Sequence, residues 1–440
     1  MPGGLRTDLY QLNMAASYLR RGMDADATFS LSIRDLPVHR GFLVAAGLEA
    51  CLDAVERFGF DEEDLAFLQG LGFEPRALDA FRGLRFGGEI WAVPEGRIVA
   101  AGEPLVEVTA PISQAQLLET LLLNTITLHV TLASKAARYR IAARGTDLVD
   151  FSFRRTHGLD AGLAAARCSA IVGFSATSNV EAARRYGLRV SGTMAHSFVE
   201  AFESEADAFR AYAEDHAGNV TFLVDTYDTL SGVRTAIRTI EQLNISRGLA
   251  IRLDSGDLGQ LAREARELLD DAGLESVRIF ASGGLDEHEV SDLVLAEAPI
   301  DAFGIGTQLG VSADAPYVDS IYKLVTYDGR PTMKLSSGKA SMPGAKQVFR
   351  GDGFADTIGL REEDLPGERL LERVVANGRR LRAPDALLAM QDRFGSDLDA
   401  LPERARMLAG PEPISAVVSA QLELLTEQAR AAATRRSVTI

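Results

Sequence analysis

The stretch LAIRLDSGDLGQLAREARELLDDAGLESVRIFASGG, residues 249–284, decides the fold of this chain. An apolar run at its start ends in the polar sequence DSGD, and an amphipathic helix pattern follows. A second apolar run then ends in a glycine pair. A strand, a helix of ten or more residues and another strand, in this order, are typical of two parallel strands joined by a helical crossover. The stretch therefore predicts a parallel α/β sheet.

The same pattern recurs from about Asp147 to Thr307. Seven short apolar runs alternate there with helix-like stretches: DLVDFSF, AIVGFS, LRVSGT, NVTFLVD, LAIRLD, VRIFASG and DAFGIGT. Polar residues follow every run, whereas an open sheet would concentrate them at one or two switch points. We therefore expect an α/β fold, with an irregular barrel of about seven parallel strands. A doubly wound open sheet is the alternative that the alternation leaves open.

The segments that flank this alternation predict a smaller mixed domain. The first part of the chain contains two helix patterns, short alternating segments typical of an antiparallel meander, and one or two long helices within Gln114–Arg144. The segment after the barrel predicts a hairpin with Asp328–Gly329 as its turn, and then loop and helices. We expect a mixed α/β domain built from residues 1–135 and about 336–440, and the barrel in residues 136–335.

The composition excludes several classes of protein. A formal net charge of -16 works against non-specific binding of nucleic acid. The two cysteines, Cys51 and Cys168, form no C-x-x-C pair, so neither a disulfide framework nor a cysteine zinc site is expected. The sequence MPGGLRTDLYQLN lacks the apolar segment of a signal peptide, and polar residues interrupt the longest apolar stretch, 117–132. We expect a cytoplasmic protein with no nucleic-acid or membrane partner.

Polar residues that could carry chemistry follow the predicted strands, whose carboxyl ends share one face if the strands are parallel. They are Arg154, Arg155, His157, Thr177, Ser178, Asn179, Thr193, His196, Asp225, Asp228, Arg252, Asp254, Ser255 and Asp257. A single residue of this kind often only caps the next helix. A succession that includes arginines, a histidine and several carboxylates indicates a binding face.

Two glycine-rich turns follow the last two predicted strands. Gly283 and Gly284 end one strand, and Gly304, Gly306 and Thr307 end the other. Glycines allow backbone N–H groups to approach a phosphate closely, and barrels commonly bind phosphate after their last two strands. Tight turns with no ligand are the alternative.

Five side chains are the strongest candidates for chemistry. Arg252 and Asp254 share one face of an extended strand, where the arginine could bind a carboxylate or phosphate, or only form a structural ion pair. Asp225 and Asp228 could hold magnesium or sugar hydroxyls, or cap the next helix. His196 could react, or hydrogen-bond a loop.

At these residues the sequence resembles the nicotinate phosphoribosyltransferase family. The matching blocks stand in the family's order: TDLYQLNM, RDLPVHRGFLVAAGLE, DFSFRRTHGLDAG, GFSATSN, SGTMAHSF, LVDTYDTLSGV, IRLDSGDL, FASGGLDE, FGIGTQLG, YKLV and GKASMPGAKQVFR. The resemblance implies the type II phosphoribosyltransferase fold, an irregular α/β barrel with a smaller domain from both chain ends. It also implies a homodimer with active sites at the subunit interface. The last ninety or so residues match weakly, and no function is assigned to them.

The resemblance implies roles for individual residues. Tyr10 and Phe151 match the aromatic residues that sandwich the pyridine ring, and Tyr10 would come from the other subunit. Arg252 and Thr193 match contacts to nicotinate. His196 matches the histidine that ATP phosphorylates. The positions that match groups around the phosphoribosyl diphosphate are Arg154, Asp225, Asp254, Gly283, Gly284, Gly306 and Thr307.

The activity implied is the joining of nicotinate to 5-phosphoribosyl 1-diphosphate in NAD salvage, with ATP as co-substrate. Mg²⁺ would bind through the substrate phosphates, with Asp225 as a candidate ligand. Nicotinamide phosphoribosyltransferase is the nearest alternative, but relatives that use the amide carry an acidic residue where Ser178 stands. Quinolinate phosphoribosyltransferase and a non-catalytic phosphosugar-binding protein are further alternatives.

Overall fold

A computed structural model describes residues 3–216, 218, 220–335 and 341–438 of the chain, with side chains up to residue 435. The chain folds into two compact units, which we call the mixed unit (residues 1–134 and 317–440) and the barrel unit (residues 135–316). The expected second boundary near residue 336 lies outside the described residues, as does part of the block GKASMPGAKQVFR.

The described residues from 3 to 143 supply six helices and five strands. They are α1 (Leu9–Arg20), β1 (Asp26–Ile33), β2 (Leu43–Val44), α2 (Leu48–Glu56), α3 (Glu62–Gly70), α4 (Pro75–Arg82), β3 (Glu89–Ala92), β4 (Ile98–Val99), β5 (Pro104–Pro111), α5 (Ile112–Leu117) and α6 (Glu119–Ala143). The predicted meander is only partly correct. Strands β3 and β5 pair antiparallel, but β4 pairs with β2 instead.

The middle of the chain alternates strands and helices. The elements are β6 (Asp147–Asp150), α7 (Leu159–Ile171), β7 (Ala176–Thr177), α8 (Val180–Tyr186), α9 (His196–Glu200), α10 (Glu205–Asp215), β8 (Val220–Leu223), α11 (Thr229–Leu243), β9 (Leu249–Leu253), α12 (Leu258–Asp271), β10 (Arg278–Ala281), α13 (Glu287–Leu295), β11 (Ala302–Ile305) and α14 (Thr307–Gly310). All ladder pairings among these strands are parallel.

The sheet of the barrel unit curls so that its last strand pairs with its first. The strand order is β7-β6-β11-β10-β9-β8, so β11 lies between β10 and β6. Past β7, Val190 forms a single parallel bridge with Thr177 and continues the curl of the sheet. The prediction of an irregular α/β barrel is therefore confirmed.

Two of the seven predicted strands differ from the structure. The run AIVGFS was expected to be a strand, but its first residues end helix α7, because the alanine-rich sequence before them continues the helix to Ile171. Gly173 follows at φ +92°, and the strand begins only at Ala176. The run LRVSGT forms the Val190 bridge and no longer strand.

The last part of the chain is richer in strands than expected. It contains β12 (Ser320–Tyr327), β13 (Arg330–Pro331), β14 (Lys346–Arg350), β15 (Thr357–Leu360), β16 (Glu368–Arg369), β17 (Glu372–Ala376), β18 (Arg379–Arg380), α15 (Leu387–Ala400), α16 (Glu403–Arg406), β19 (Val417–Val418) and α17 (Ala420–Val438). The hairpin β12–β13 turns at Asp328–Gly329 as predicted. The prediction of only loop and helices beyond it is wrong, since β14, β15, β16 and β19 form a sheet of their own.

The mixed unit is organised by a seven-stranded sheet of order β13-β12-β1-β5-β3-β17-β18. Its strands come from both ends of the chain, because β1 pairs with β12 on one side and with β5 on the other. This pairing places β12 in the mixed unit, whose second segment begins at Tyr317. Among the described residues, no helix is long and apolar enough to cross a lipid bilayer.

The buried carboxylate of Glu107 in β5 forms a hydrogen bond and an ion pair with Lys346 in β14. Glu107 is fully buried, and its Oε2 accepts a 2.8 Å hydrogen bond from the backbone N–H of Lys346. Its side chain also forms ion pairs with the ammonium of Lys346 at 3.2 Å and with the guanidinium of Arg361 at 2.6 Å. Burial lowers the pKa of Lys346, although the nearby Glu107 opposes this effect. The carboxylate therefore offsets two cations that are largely removed from water.

We expect Glu107→Gln to lower the free energy of unfolding by about 3–5 kcal/mol, because it leaves buried cations without a counter-charge. Urea denaturation at neutral pH measures the change. Glu74→Gln is the control, since its ion pair with Arg20 is more than half exposed and should contribute little. Equal shifts in the two variants would show that the buried carboxylate does not have this role.

Candidate active site

A cavity of about 520 Å³ opens at the carboxyl ends of the parallel strands in the barrel unit. It is lined by eleven of the predicted site residues: Phe151, Arg154, Ser178, Thr193, His196, Arg252, Asp254, Gly283, Gly284, Gly306 and Thr307. These residues come from all parts of the unit's sequence and meet because parallel strands end on one face. Of the other two predicted residues, Asp225 lies next to Asp254, and Tyr10 belongs to the mixed unit.

Arg252 is the most highly connected side chain of the cavity. Its Nε donates to Ser282 Oγ at 2.7 Å, Nη1 to Thr193 Oγ1 at 2.9 Å and Nη2 to Asp254 Oδ1 at 2.6 Å. A guanidinium has five N–H donors, so these contacts leave two for a ligand. The side chain is 13% exposed. Arg252 is therefore a fixed, largely desolvated cation with free donors at a cavity wall.

The carboxylate of Asp254 remains ionised next to this cation. Burial raises its pKa, but the charge of Arg252 and the hydrogen bonds from Ser282 and Arg252 outweigh burial, so the pKa lies below its usual value. The backbone N–H of Asp254 and the hydroxyl of Ser255 donate to Asp225 Oδ2 at 3.1 and 2.6 Å. The ends of β8 and β9 thus carry two adjacent carboxylates.

An aromatic surface forms another wall. The ring of Phe151 stacks on Phe280 with the ring centroids 5.4 Å apart, and the guanidinium carbon of Arg252 lies 5.5 Å from the Phe151 centroid. Gly304 makes room for this pair, because a Cβ there would lie 2.7 Å from both rings. Planar apolar faces beside a cation suit a flat ligand that carries negative charge.

The turn at Gly283 and Gly284 owes its shape to the absence of side chains. Gly283 adopts φ +110°, and a Cβ at this position would lie 2.0 Å from the carbonyl oxygen of Asp254. Gly284 adopts φ +79°, with no neighbouring atom within 4 Å of its Cβ position. Both glycines therefore occupy backbone conformations that other residues rarely adopt, and Gly283 also allows the turn to contact strand β9.

His196 stands at the first position of helix α9, with its side chain 41% exposed. Its Nδ1 lies 3.2 Å from Thr226 Oγ1, and its Nε2 lies 3.7 Å from Asp254 Oδ2. One ring nitrogen is thus held by a hydroxyl while the other faces the carboxylate at the cavity. This arrangement orients the imidazole and leaves it accessible.

Several strand-end residues act as helix caps and line no part of the cavity. Asn179, Asp228 and Asp257 each accept a backbone hydrogen bond from the first turn of the following helix. For Asp228 this is the alternative that the sequence had left open against magnesium binding. Asp150, which the sequence analysis did not identify, is fully buried and ties β6 to β7 through a 2.7 Å hydrogen bond from Thr177.

Sequence reasoning missed Ser282, which is bonded to both Arg252 and Asp254. Its position directly before Gly283, at a strand end, is the signal that could have identified it. Arg155 and Gly304, which the sequence analysis had named, also line the cavity, and the other lining residues that were not predicted are Phe153, Gly192, Met194, Ala195 and Leu223. Most are apolar or glycine, and the sequence gives no reason to select them.

Tyr10 lies at the second position of α1, 49% exposed. Its hydroxyl accepts a hydrogen bond from Gln11 at 3.2 Å. Partial burial raises its pKa, against the effect of the Gln11 hydrogen bond. The structure thus leaves its ring available at the surface of the mixed unit.

The donor set around Asp225 suits a hard cation. Asp225 Oδ1 is buried and accepts no hydrogen bond among the described residues, and carboxylate oxygens are the ligands that magnesium prefers. However, the described part of the chain contains no cluster of three His, Cys, Asp or Glu residues that could hold a metal. Any magnesium here would need further oxygen ligands from a bound substrate or water.

Comparisons with known proteins show the family to which the chain belongs. Residues 5–127 match the nicotinate phosphoribosyltransferase N-terminal domain, and residues 146–341 match the nicotinate phosphoribosyltransferase family. A nicotinate phosphoribosyltransferase of Mycobacterium tuberculosis is 49% identical over 92% of this chain and 89% of its own length. One of Bacillus subtilis is 44% identical over 83% of this chain and 78% of its own. The crystal structure of human nicotinic acid phosphoribosyltransferase superposes with a TM-score of 0.85 at 29% identity, covering 96% of this chain and 99% of the human one.

Substitution of the two adjacent glycines should separate backbone strain from steric clash. Gly284→Ala should cost about 1–2 kcal/mol, because only the left-handed conformation is disfavoured. Gly283→Ala should cost about 1–3 kcal/mol more, because its Cβ also meets the Asp254 carbonyl. Chemical denaturation of both variants and the wild type tests this order, and a smaller loss for Gly283→Ala would contradict it.

Proposed function

The chain belongs to the nicotinate phosphoribosyltransferase family, and we propose that the barrel-unit cavity is its active site. The enzyme joins nicotinate to 5-phosphoribosyl 1-diphosphate, gives nicotinate mononucleotide and diphosphate, and serves NAD salvage. The observation that carries the assignment to this cavity is the environment of Arg252, a largely buried guanidinium with two unused donors beside the Phe151 ring.

Nicotinate fits this environment through its charge and shape. Its carboxylate can accept the free N–H groups of Arg252, and its flat ring can lie against Phe151. Thr193 and Ser282 hold the guanidinium on the other side, so little conformational entropy is lost when the ligand binds. Ser178 adds no negative charge to the wall, and this favours the acid over the amide.

Glycosyl transfer needs no general base. The pyridine nitrogen carries no proton, so its lone pair forms the bond to the anomeric carbon while the bond to diphosphate breaks. Positive charge develops on the ribose, and the leaving diphosphate takes up the electron pair. Asp254 and Asp225 would orient ribose hydroxyls and stabilise that charge. Arg154 and the N–H groups of both glycine turns would hold the phosphates.

Magnesium would enter with the substrate phosphates, and Asp225 would contribute its free oxygen. When bound, the cation stabilises the negative charge of the departing diphosphate. Arg154, which is exposed, supplies a further positive charge for the phosphates.

ATP would act through His196. An imidazole nitrogen forms a bond to the γ-phosphorus, and the bond to the bridging oxygen breaks as ADP leaves. The phosphohistidine adds close to two negative charges beside Asp254. This charge would alter how the cavity holds the diphosphate, so that phosphoryl transfer to and from the histidine is coupled to substrate binding and product release.

The proposal includes a homodimer in the cytoplasm. Tyr10 would supply its exposed ring to the active site of the partner subunit, opposite Phe151. Cys51 and Cys168 are buried and are not joined to each other by a disulfide, which suits a reducing compartment.

Substrate choice tests the role of Arg252 and Ser178. The enzyme should convert nicotinate and hardly any nicotinamide, and Arg252→Met should reduce kcat/KM for nicotinate about thirtyfold to several-thousandfold, which corresponds to roughly 2–5 kcal/mol for a desolvated ion pair. Ser178→Asp should also weaken the binding of nicotinate, because the two negative charges repel each other. Ser178→Asn, which introduces a side chain of the same size as Asp without its charge, should have a much smaller effect. Comparable kcat/KM values for acid and amide in the wild type would overturn the assignment.

Phosphorylation of His196 is tested with γ-labelled ATP and magnesium. The wild type should acquire an acid-labile, base-stable label, and His196→Ala should lose both this label and ATP hydrolysis. Slow ATP-independent synthesis of the mononucleotide should remain, because ring attack does not use the histidine. His157→Ala is the control, since His157 is exposed and lies outside the cavity lining. A label that persists in His196→Ala would place the phosphate on another residue.

A further inference from the structure

Helix α6 presents three buried polar side chains to the loops of the barrel unit. Arg138 and Tyr139 stand three and four residues after Lys135, so both lie on the same face of the helix as Lys135. All three are buried, and the side chain of Lys135 is only 2% exposed. None of them lines the cavity, and the chemistry described above does not use them.

Each of these side chains binds a residue that follows one of the two glycine turns. The ammonium of Lys135 forms ion pairs with Glu287 and, at 2.8 Å, with Asp314. Arg138 Nε donates to Glu287 at 2.6 Å, and the hydroxyl of Tyr139 donates to the carbonyl of Leu285 at 3.0 Å.

The partners follow the two glycine turns of the cavity. Leu285 and Glu287 come directly after Gly283 and Gly284, at the start of α13. Asp314 lies in the loop after α14, the helix that begins at Thr307. The single cation of Lys135 therefore pairs with one residue that follows each of the two turns. Because Lys135 and Glu287 are fully desolvated, loss of either partner leaves an uncompensated buried charge.

Burial would raise the pKa of Glu287, but the charges and hydrogen bonds of Lys135 and Arg138 outweigh it and hold the pKa below its usual value. The carboxylate of Glu287 is therefore ionised at neutral pH. Backbone N–H groups that hold phosphate must be positioned within a fraction of an ångström, and their supporting contacts determine that position.

We propose that Lys135 is a positioning residue that, with Arg138 and Tyr139, fixes the spacing of the two glycine turns for the substrate phosphates. This inference rests on the proposed function of the cavity. It assigns a role in binding 5-phosphoribosyl 1-diphosphate to residues that never touch the substrate.

The effect should appear in the KM for one substrate. Asp314→Asn keeps the shape of the side chain and removes its charge, and it should raise the KM for 5-phosphoribosyl 1-diphosphate about tenfold. Lys135→Met should raise it about a hundredfold, and the KM for nicotinate should change less than twofold in both. The double variant should not exceed Lys135→Met, because Asp314 acts through Lys135.

Hydrogen–deuterium exchange of the free protein gives a readout that does not depend on activity. Lys135→Met should speed exchange at residues 282–287 and 306–314, whereas Asp314→Asn should speed only the latter. Asp397→Asn is the matched control, because Asp397 forms a similarly buried ion pair with Arg97 in the mixed unit. It should change neither the exchange of these segments nor the KM for 5-phosphoribosyl 1-diphosphate.

The outcomes separate the two proposals. If Lys135→Met fails to fold, Asp314→Asn still decides, since its side chain is 24% exposed. Unchanged exchange at residues 306–314 in Asp314→Asn overturns the positioning role, and so does an equal rise in KM for both substrates. A wild type that makes no mononucleotide from nicotinate and 5-phosphoribosyl 1-diphosphate overturns the proposed function, and the exchange data then decide the positioning role alone.

Discussion

The pairing of β11 with β6 is the constraint on which the site depends. Four residue pairs, from Ala302–Asp147 to Ile305–Asp150, join the last strand of the barrel unit to its first. The backbone N–H of Phe151 extends this ladder to Ile305 at 2.8 Å. Because β11 lies beside β6, the turn at Gly306 and the aromatic residue Phe151 follow neighbouring strands and line the same cavity.

Close packing at the strand ends depends on residues with no side chain. Gly304 leaves space for the stacked rings of Phe151 and Phe280, and Gly283 allows its turn to touch the carbonyl of Asp254. Arg252 then finds fixed partners on two neighbouring segments and at the end of its own strand. The cavity is therefore preorganised by the pairing of β11 with β6, by close packing at glycines and by a single guanidinium.

The sequence predicted the barrel because the strand–helix alternation is long and regular. Its errors fall where local and tertiary preferences compete. The first residues of the run AIVGFS, which was predicted as a strand, belong to helix α7, because the alanines before them favour a helix that continues almost to Gly173. The segment around Val190 has the sequence of a strand, but only Val190 pairs with a residue of β7, so the segment forms a single bridge. In the last part of the chain, short strands at 346–380 carry too few residues for their alternation to be recognised.

The sequence by itself determined the fold class and nearly all polar residues of the site, because residue type and position after a strand are local properties. Only the tertiary structure decided which of these residues act together. Asp225 and Asp228 stand three residues apart, yet one joins the Asp254 cluster and the other caps α11. The partners of Lys135 lie 152 and 179 positions further along the chain, and no local pattern encodes such pairs. They arise from long-range packing, which brings the helix α6 against the loops that follow both glycine turns.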